Sequence, residues 1–217
     1  MNEPTQIKGT RFNLNGTSVE TFLTAGDRLS HVLREQLGAR DVKIGCNAGD
    51  CGACTVLLDG APVCACLVPA QQAADRQVET LSGLYKSDTL TTALAESFQD
   101  NGAAQCGICT PGMMVAAVAL LRNNLTPTEQ EVQDALGGVL CRCTGYRKII
   151  ESVIKTAPAA SETQGHVGEA IRRVDGLDKV SGREAFGDDV APIGTLEIYV
   201  IRTPYSRGTF KLGDLDS

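Results

Sequence analysis

Eight of the nine cysteines in this 217-residue chain fall into two different four-thiol patterns. The first is Cys46-x4-Cys51-x2-Cys54, closed after eleven intervening residues by Cys66. That is the plant-type spacing for a 2Fe–2S cluster, in which a tight loop supplies three thiolates and a more distant residue completes the site. The second is Cys106-x2-Cys109 followed by Cys141-x-Cys143, again four sulfurs but with a different loop geometry. Two such sets imply two one-electron centres in one polypeptide, so the chemistry this chain can perform alone is to pass electrons.

The surroundings of each set favour a cluster. Gly45, Gly49 and Gly52 let the first loop take positive φ and curl closely around a ligand, with amide N–H groups aimed at sulfur. After Cys109, Thr110-Pro111 reads as a cap followed by proline at the first helical position, opening the apolar run Met113–Leu121. The positive end of that helix would face the Cys106/Cys109 pair, which benefits thiolates and reduced iron alike. Zinc remains open, because Cys-x2-Cys pairs also build four-cysteine zinc sites, which would make the chain an interaction module. A disulfide framework is the other alternative, and a reducing cytosol disfavours it. Met1 to Thr10 is polar, with no secretory h-region, so a cytoplasmic location is expected. Cys64 lies two residues before Cys66 and outside the ligand spacing, which makes it a spare thiol.

Composition narrows the partners. A net charge of −6 gives no basic face for nucleic acid, and without Trp, and with five Phe and four Tyr, there is no stacking platform. No apolar run is long enough to span a bilayer.

Several elements must position the thiols. Two strands meet across Asn15-Gly16, a hairpin signal, and a second pair, Thr55–Leu58 and Val63–Leu67, turns at Asp59-Gly60. Between them Leu29, Val32, Leu33 and Leu37 form a helical stripe, placing the first loop between helix and strand as in ferredoxins. His31 on that helix reads as a surface or packing residue. From Thr89 the period becomes helical: a stripe at Leu90, Leu94 and Phe98, a helix over Pro111–Arg122, and a capping box at Thr126-Pro127-Thr128-Glu129 opening Glu131–Leu136. A fourth helix, Tyr146–Thr156, points Ile149, Ile150, Val153 and Ile154 inward. Antiparallel packing of these four would bring the Cys106/Cys109 turn beside Cys141/Cys143.

These motifs together carry a resemblance covering nearly the whole chain. Gly45-Cys46-x4-Cys51-Gly52-Ala53-Cys54, Gln105-Cys106-Gly107-Ile108-Cys109-Thr110-Pro111-Gly112 and Cys141-Arg142-Cys143-Thr144-Gly145-Tyr146 resemble the iron–sulfur subunit of the xanthine dehydrogenase/aldehyde oxidoreductase family of molybdenum hydroxylases. The resemblance implies an α+β chain: a β-grasp, ferredoxin-like domain over residues 1–84 and a four-helix 2Fe–2S-binding bundle over 85–156. It implies two 2Fe–2S clusters here, molybdopterin on a large partner subunit, and FAD on another chain or a cytochrome as acceptor. Gln105 and Cys143 would contact the pterin, although Gln105 could equally be a plain helix-terminus residue.

Residues 157–166 read as a linker, and 167–217 are similar to the start of the family's molybdopterin subunit, where an α/β hammerhead domain opens. About 50 residues without cysteine are too few to bury a core alone, so this segment must be completed by another chain or be disordered. The implied function is electron transfer from molybdenum during water-derived hydroxylation of an N-heteroaromatic or aldehyde carbon. No catalytic residue is expected in this chain, and no Gly-rich dinucleotide fingerprint follows a strand. A free-standing two-cluster ferredoxin is the other electron-transfer reading, and a zinc-binding interaction module the non-redox one.

Overall fold

The structure is a computed structural model describing residues 6–24, 26–156, 171–192, 194–196 and 209. Its contacts divide the chain into a larger unit, Met1–Ala185, and a smaller one, Phe186–Ser217. The larger unit is α+β. Its sheet has five strands in the order β2-β1-β5-β3-β4: β1 (Gln6–Leu14), β2 (Thr17–Thr24), β3 (Thr55–Leu58), β4 (Ala61–Cys64) and β5 (Gln77–Glu79). β1 and β5 run parallel, and every other neighbouring pair is antiparallel.

Both hairpins follow from their turn residues. Asn15 (φ 52°) and Gly16 (φ 85°) join β1 to β2, and Asp59 (φ 50°) and Gly60 (φ 81°) join β3 to β4. Two consecutive positive φ values make a turn whose twist matches that of paired strands, and Asn, Asp and Gly accept them most easily. The β4 strand ends at Cys64, so Cys66 stands just beyond it rather than within the expected Val63–Leu67 strand. The Leu29–Leu37 stripe forms α1 (Leu29–His31), which continues as one π-helical stretch over Val32–Gln36. His31 is exposed on it, as the stripe implies.

β3 is buried on both faces. Because successive strand residues point to opposite sides, Val56 and Leu58 join Phe12, Leu29, Leu33 and Val78 in one core, while Leu57 joins a second core built from helices. That second core belongs to α2 (Leu81–Ser87), α3 (Thr89–Asp100), α4 (Thr110–Asn123), α5 (Glu129–Leu136) and α6 (Arg147–Ile154). α2, which the helical pattern does not announce, crosses the expected boundary at residue 84. α4 is buried around most of its circumference, including Met113, Met114, Ala117, Val118 and Leu121, which explains a sequence with little amphipathic contrast. The capping box at α5 falls two residues later than the Thr126–Glu129 pattern, on Thr128 and Glu131, whose side chains exchange hydrogen bonds with backbone N–H groups at 3.3 and 2.7 Å. In α6, Ile149, Ser152 and Val153 are buried on the face that packs on α3, whereas Ile154, displaced around the helix from that face, is exposed.

The segment after the linker departs from expectation. Residues 171–185 pack within the larger unit, with a short helix α7 (Gly176–Val180) against α3 and α4 and Val180 fully buried in the helical core. The physical reason is that this stretch uses a core already built by α3 and α4 and needs none of its own. Of the smaller unit, a 3-10 turn at Gly187–Asp189 is described, with the Asp189 carboxylate accepting the Phe186 N–H at 3.1 Å. The linker 157–166 and residues 197–208 lie outside the described residues.

Candidate metal centres

The first loop runs from the end of the π-helical stretch to β3. The Cys46 sulfur accepts the amide N–H groups of Ala48 at 3.3 Å and Cys51 at 3.4 Å. Those amides hold the Cys46 thiol down to about 7, although it is exposed. Cys54 is the opposite: burial pushes it up to about 12, while its sulfur accepts the Cys66 N–H at 3.5 Å. Metal binding removes these protons outright, so an exposed thiol that ionises readily is the natural first point of attachment. Arg28 donates to the Asn47 carbonyl and steadies a residue at φ 53°.

The glycines of this loop act differently from one another. Gly49 (φ 87°) and Gly52 (φ 66°) take the left-handed conformation. Gly45 does not; there the need is space, since a Cβ would sit 2.9 Å from the Cys51 sulfur. Cys64 is half-buried, with its thiol directed at the Gly49 carbonyl 3.8 Å away.

The second set joins the start of α4 to the loop before α6. Cys109 is itself the N-cap residue of α4, one position earlier than the Thr110 cap expected from sequence, and its carbonyl accepts the Met113 N–H at 2.9 Å. Burial raises the Cys109 thiol, whereas Cys106 and Cys143 are exposed beside the exposed Gln105. Burial also pushes the Cys141 thiol up, but hydrogen bonds from the Thr144 hydroxyl and amide and the Cys143 amide outweigh it, leaving it below its usual value. Tyr146, at φ 66°, folds its phenol back so that the oxygen accepts the Cys141 N–H at 2.8 Å.

Among the described residues no three His, Cys, Asp or Glu side chains group tightly enough for a single ion. The eight thiols instead stand as four pairs within mutual reach: Cys46 with Cys51, Cys54 with Cys66, Cys106 with Cys143, and Cys109 with Cys141. A binuclear cluster takes two thiolates at each iron, so two pairs per set fit a 2Fe–2S group. Each set also has a buried and a more exposed pair: Cys54 and Cys66 are 3% and 2% exposed, and Cys109 9%.

Between the two sets runs a seam that sequence reading does not reveal. The Leu140 N–H donates to the Cys51 carbonyl at 2.9 Å, joining a thiol residue of the first loop to the neighbour of Cys141 in the second. The approach requires glycine on both sides. A Cβ on Gly52 would lie 2.1 Å from the Gly138 carbonyl oxygen, and one on Gly112 2.4 Å from the Gly52 oxygen. Tyr146 is legible as part of a motif, but its phenolic contact is not, since it depends on a left-handed backbone turn.

Comparison with known proteins agrees with this geometry. The family model described as "2Fe-2S iron-sulfur cluster binding domain" matches residues 12–82, and that described as "[2Fe-2S] binding domain" matches 80–154. The chain is 45% identical to the nicotinate dehydrogenase small FeS subunit of Eubacterium barkeri, over 65% of this chain and 89% of that one. It is 35% identical to the aldehyde oxidoreductase of Megalodesulfovibrio gigas, over 91% of this chain but only 24% of that longer protein. The solved aldehyde oxidoreductase from Desulfovibrio gigas superposes with a TM-score of 0.77 at 32% identity, covering 84% of this chain and 22% of that one. The chain therefore belongs to the iron–sulfur subunits of the xanthine dehydrogenase/aldehyde oxidoreductase family of molybdenum hydroxylases.

Proposed function

We infer that this chain carries electrons one at a time from a molybdopterin centre on a large partner subunit, through two 2Fe–2S clusters, to FAD or another acceptor on a further chain. The observation that carries the reading is the seam, where Cys51 and Leu140 join two four-thiol sets by one hydrogen bond. When bound, each cluster supplies a centre that gains and loses a single electron. Cys46, Cys51, Cys54 and Cys66 would hold the first, and Cys106, Cys109, Cys141 and Cys143 the second. Pairing of the thiols supports binuclear clusters over zinc, which collects its four ligands around one ion.

The residues of this chain set the order of the relay. Cys106 and Cys143 lie exposed beside Gln105, the end suited to meet a pterin on the partner. Cys109 and Cys141 lie further in, next to Leu140 and the seam. Exposed Cys46 ends the series and faces the outward acceptor. Amide groups donating to the Cys46 sulfur offset the negative charge that arrives with the electron. The relatives named for nicotinate and aldehyde support an N-heteroaromatic or aldehyde substrate, hydroxylated with water-derived oxygen at a site on the partner chain; a cytoplasmic complex is part of the same proposal. Among the described residues no helix is long and apolar enough to cross a membrane.

Reductive titration of the complex tests this. Two separable EPR signals, each integrating to one spin per chain and both developing on addition of substrate, are expected. A single signal of one spin per chain overturns the two-cluster relay.

A further inference from the structure

We propose that Lys179 is a positioning residue for the second centre: its methylene stem covers Gly107, between Cys106 and Cys109, and shields that buried side of the loop from water. The proposal rests on the second thiol set holding a 2Fe–2S cluster. Gly107 is buried at φ +94°, and a Cβ placed on it would meet the Cγ, Cδ and Cε of Lys179 at 3.0, 3.2 and 3.3 Å. The lysine comes from α7, about 70 residues along the chain.

The stem is held from its far end. Lys179 Nζ lies 2.6 Å from Asp175 Oδ2 and 3.1 Å from Glu184 Oε1, and its side chain is 5% exposed. The same segment is anchored on both halves of the larger unit. Arg172 pairs with Asp100, and Arg173 Nη1 donates to the Ala104 carbonyl at 3.4 Å, on the helical side. Lys43, three residues before Cys46, donates to the Glu184 carbonyl at 2.9 Å. Gly182 (φ +76°) turns the chain where a Cβ would come 2.9 Å from Asp41 Cβ and 3.0 Å from Ser82 Oγ. Residues 171–185 thus form a strap against the Gly107 side of the loop, leaving Cys106 exposed, and Lys179 is its point of contact there. Clusters are lost when water and chelators reach their sulfurs, so covering the loop slows that loss.

The test is the rate at which an iron chelator removes each cluster from the full chain, followed by the two EPR signals of dithionite-reduced samples. The second cluster's signal is the one that survives in Cys66→Ser. Lys179→Ala should speed loss of the second cluster several-fold and leave the first unchanged, which also reports that the variant is folded. Lys179→Met keeps the stem without the ammonium and should lose the cluster near the wild-type rate. Should Lys179→Ala fail to assemble, Lys179→Gln, with a polar amide where Cδ and Cε lie, carries the same expectation in milder form. Loss as fast in Lys179→Met as in Lys179→Ala would assign the protection to the ion pairs and overturn the proposal. An unchanged rate in Lys179→Ala or Lys179→Gln overturns it too. A wild-type chain with one cluster only overturns the two-cluster reading itself, and the proposal with it.

Discussion

Replacing Gly52 by alanine should open the seam between the two centres. At φ +66° an L-residue costs about 1–2 kcal/mol in the left-handed conformation. The added Cβ would also lie 2.1 Å from the Gly138 oxygen and 2.8 Å from Val139 Cα, both backbone atoms that cannot rotate away. Overpacking of this kind typically adds about 1–3 kcal/mol. The total, roughly 2–5 kcal/mol, is a large part of the stability of an ordinary domain. Relief requires the loops to separate by about 1 Å, which stretches the 2.9 Å Leu140–Cys51 hydrogen bond beyond useful length. Gly60→Ala isolates the conformational part, because Gly60 has φ +81° and nothing within 4 Å of its Cβ position. Denaturant midpoints read from cluster absorbance should fall further for Gly52→Ala than for Gly60→Ala. Only Gly52→Ala should weaken the magnetic splitting between the two reduced clusters, which declines with the cube of their separation. Equal midpoint shifts together with unchanged splitting would refute a seam closed by glycine contact.

Cys64→Ser should leave both clusters in place while Cys66→Ser removes one, as counted by iron and acid-labile sulfide; the reverse result would mean that the fourth ligand is misassigned. Tyr146→Phe deletes the acceptor of the Cys141 N–H and should cost about 0.5–1.5 kcal/mol, seen as a lower melting temperature with faster loss of the second cluster. A variant as stable as wild type would deny the phenol that role. The strap should also respond to pH in a defined sense. Burial pulls the Lys179 ammonium down, but Asp175 and Glu184 outweigh it and raise it above 10.5, so its contribution is complete below 10.5 and lost as pH rises through the raised value. Arg173 and then Lys179 hold the Asp175 carboxyl below its usual 3.8, so that contribution is present above 3.8 and lost as pH falls through the lowered value. Amine acylation followed by peptide mass spectrometry at pH 8 should therefore find Lys179 much slower than Lys155, whose side chain is 62% exposed. Equal rates would mean that the strap is not docked.

Much of the local structure is legible because it is decided locally. Asn15-Gly16 and Asp59-Gly60 fix their hairpins by backbone preference; the capping box at α5 is local too, yet the pattern puts it on Thr126 and Glu129 and the structure on Thr128 and Glu131. The eight thiols stand out for a similar reason, since a cluster demands a spacing. β5 is only three residues long and has too little alternation to be read, and α2 carries Gly83 where a helix former would be expected. Ile154 follows Ile150 at helical spacing yet is exposed, because period alone does not say how wide a face the neighbouring helices cover. The Cys51–Leu140 bond joins residues 89 positions apart in sequence, and Lys179 meets Gly107 across 72. Such pairs become visible only when the fold places them together. The strap was hidden by a sound but incomplete argument: a short segment cannot build a core, yet it can share one.

Burial of the inner thiols bears on maturation. Cys54 and Cys66 are 3% and 2% exposed within the sheet core, and Cys109 is 9% exposed within the helical core, so a scaffold protein has little access to these sulfurs once the cores have formed. A donor of iron and sulfide would meet Cys46 on the first loop and Cys106 and Cys143 on the second before any inner thiol. Iron and sulfide supplied during refolding should therefore reconstitute the clusters more completely than the same reagents added after the cores have closed.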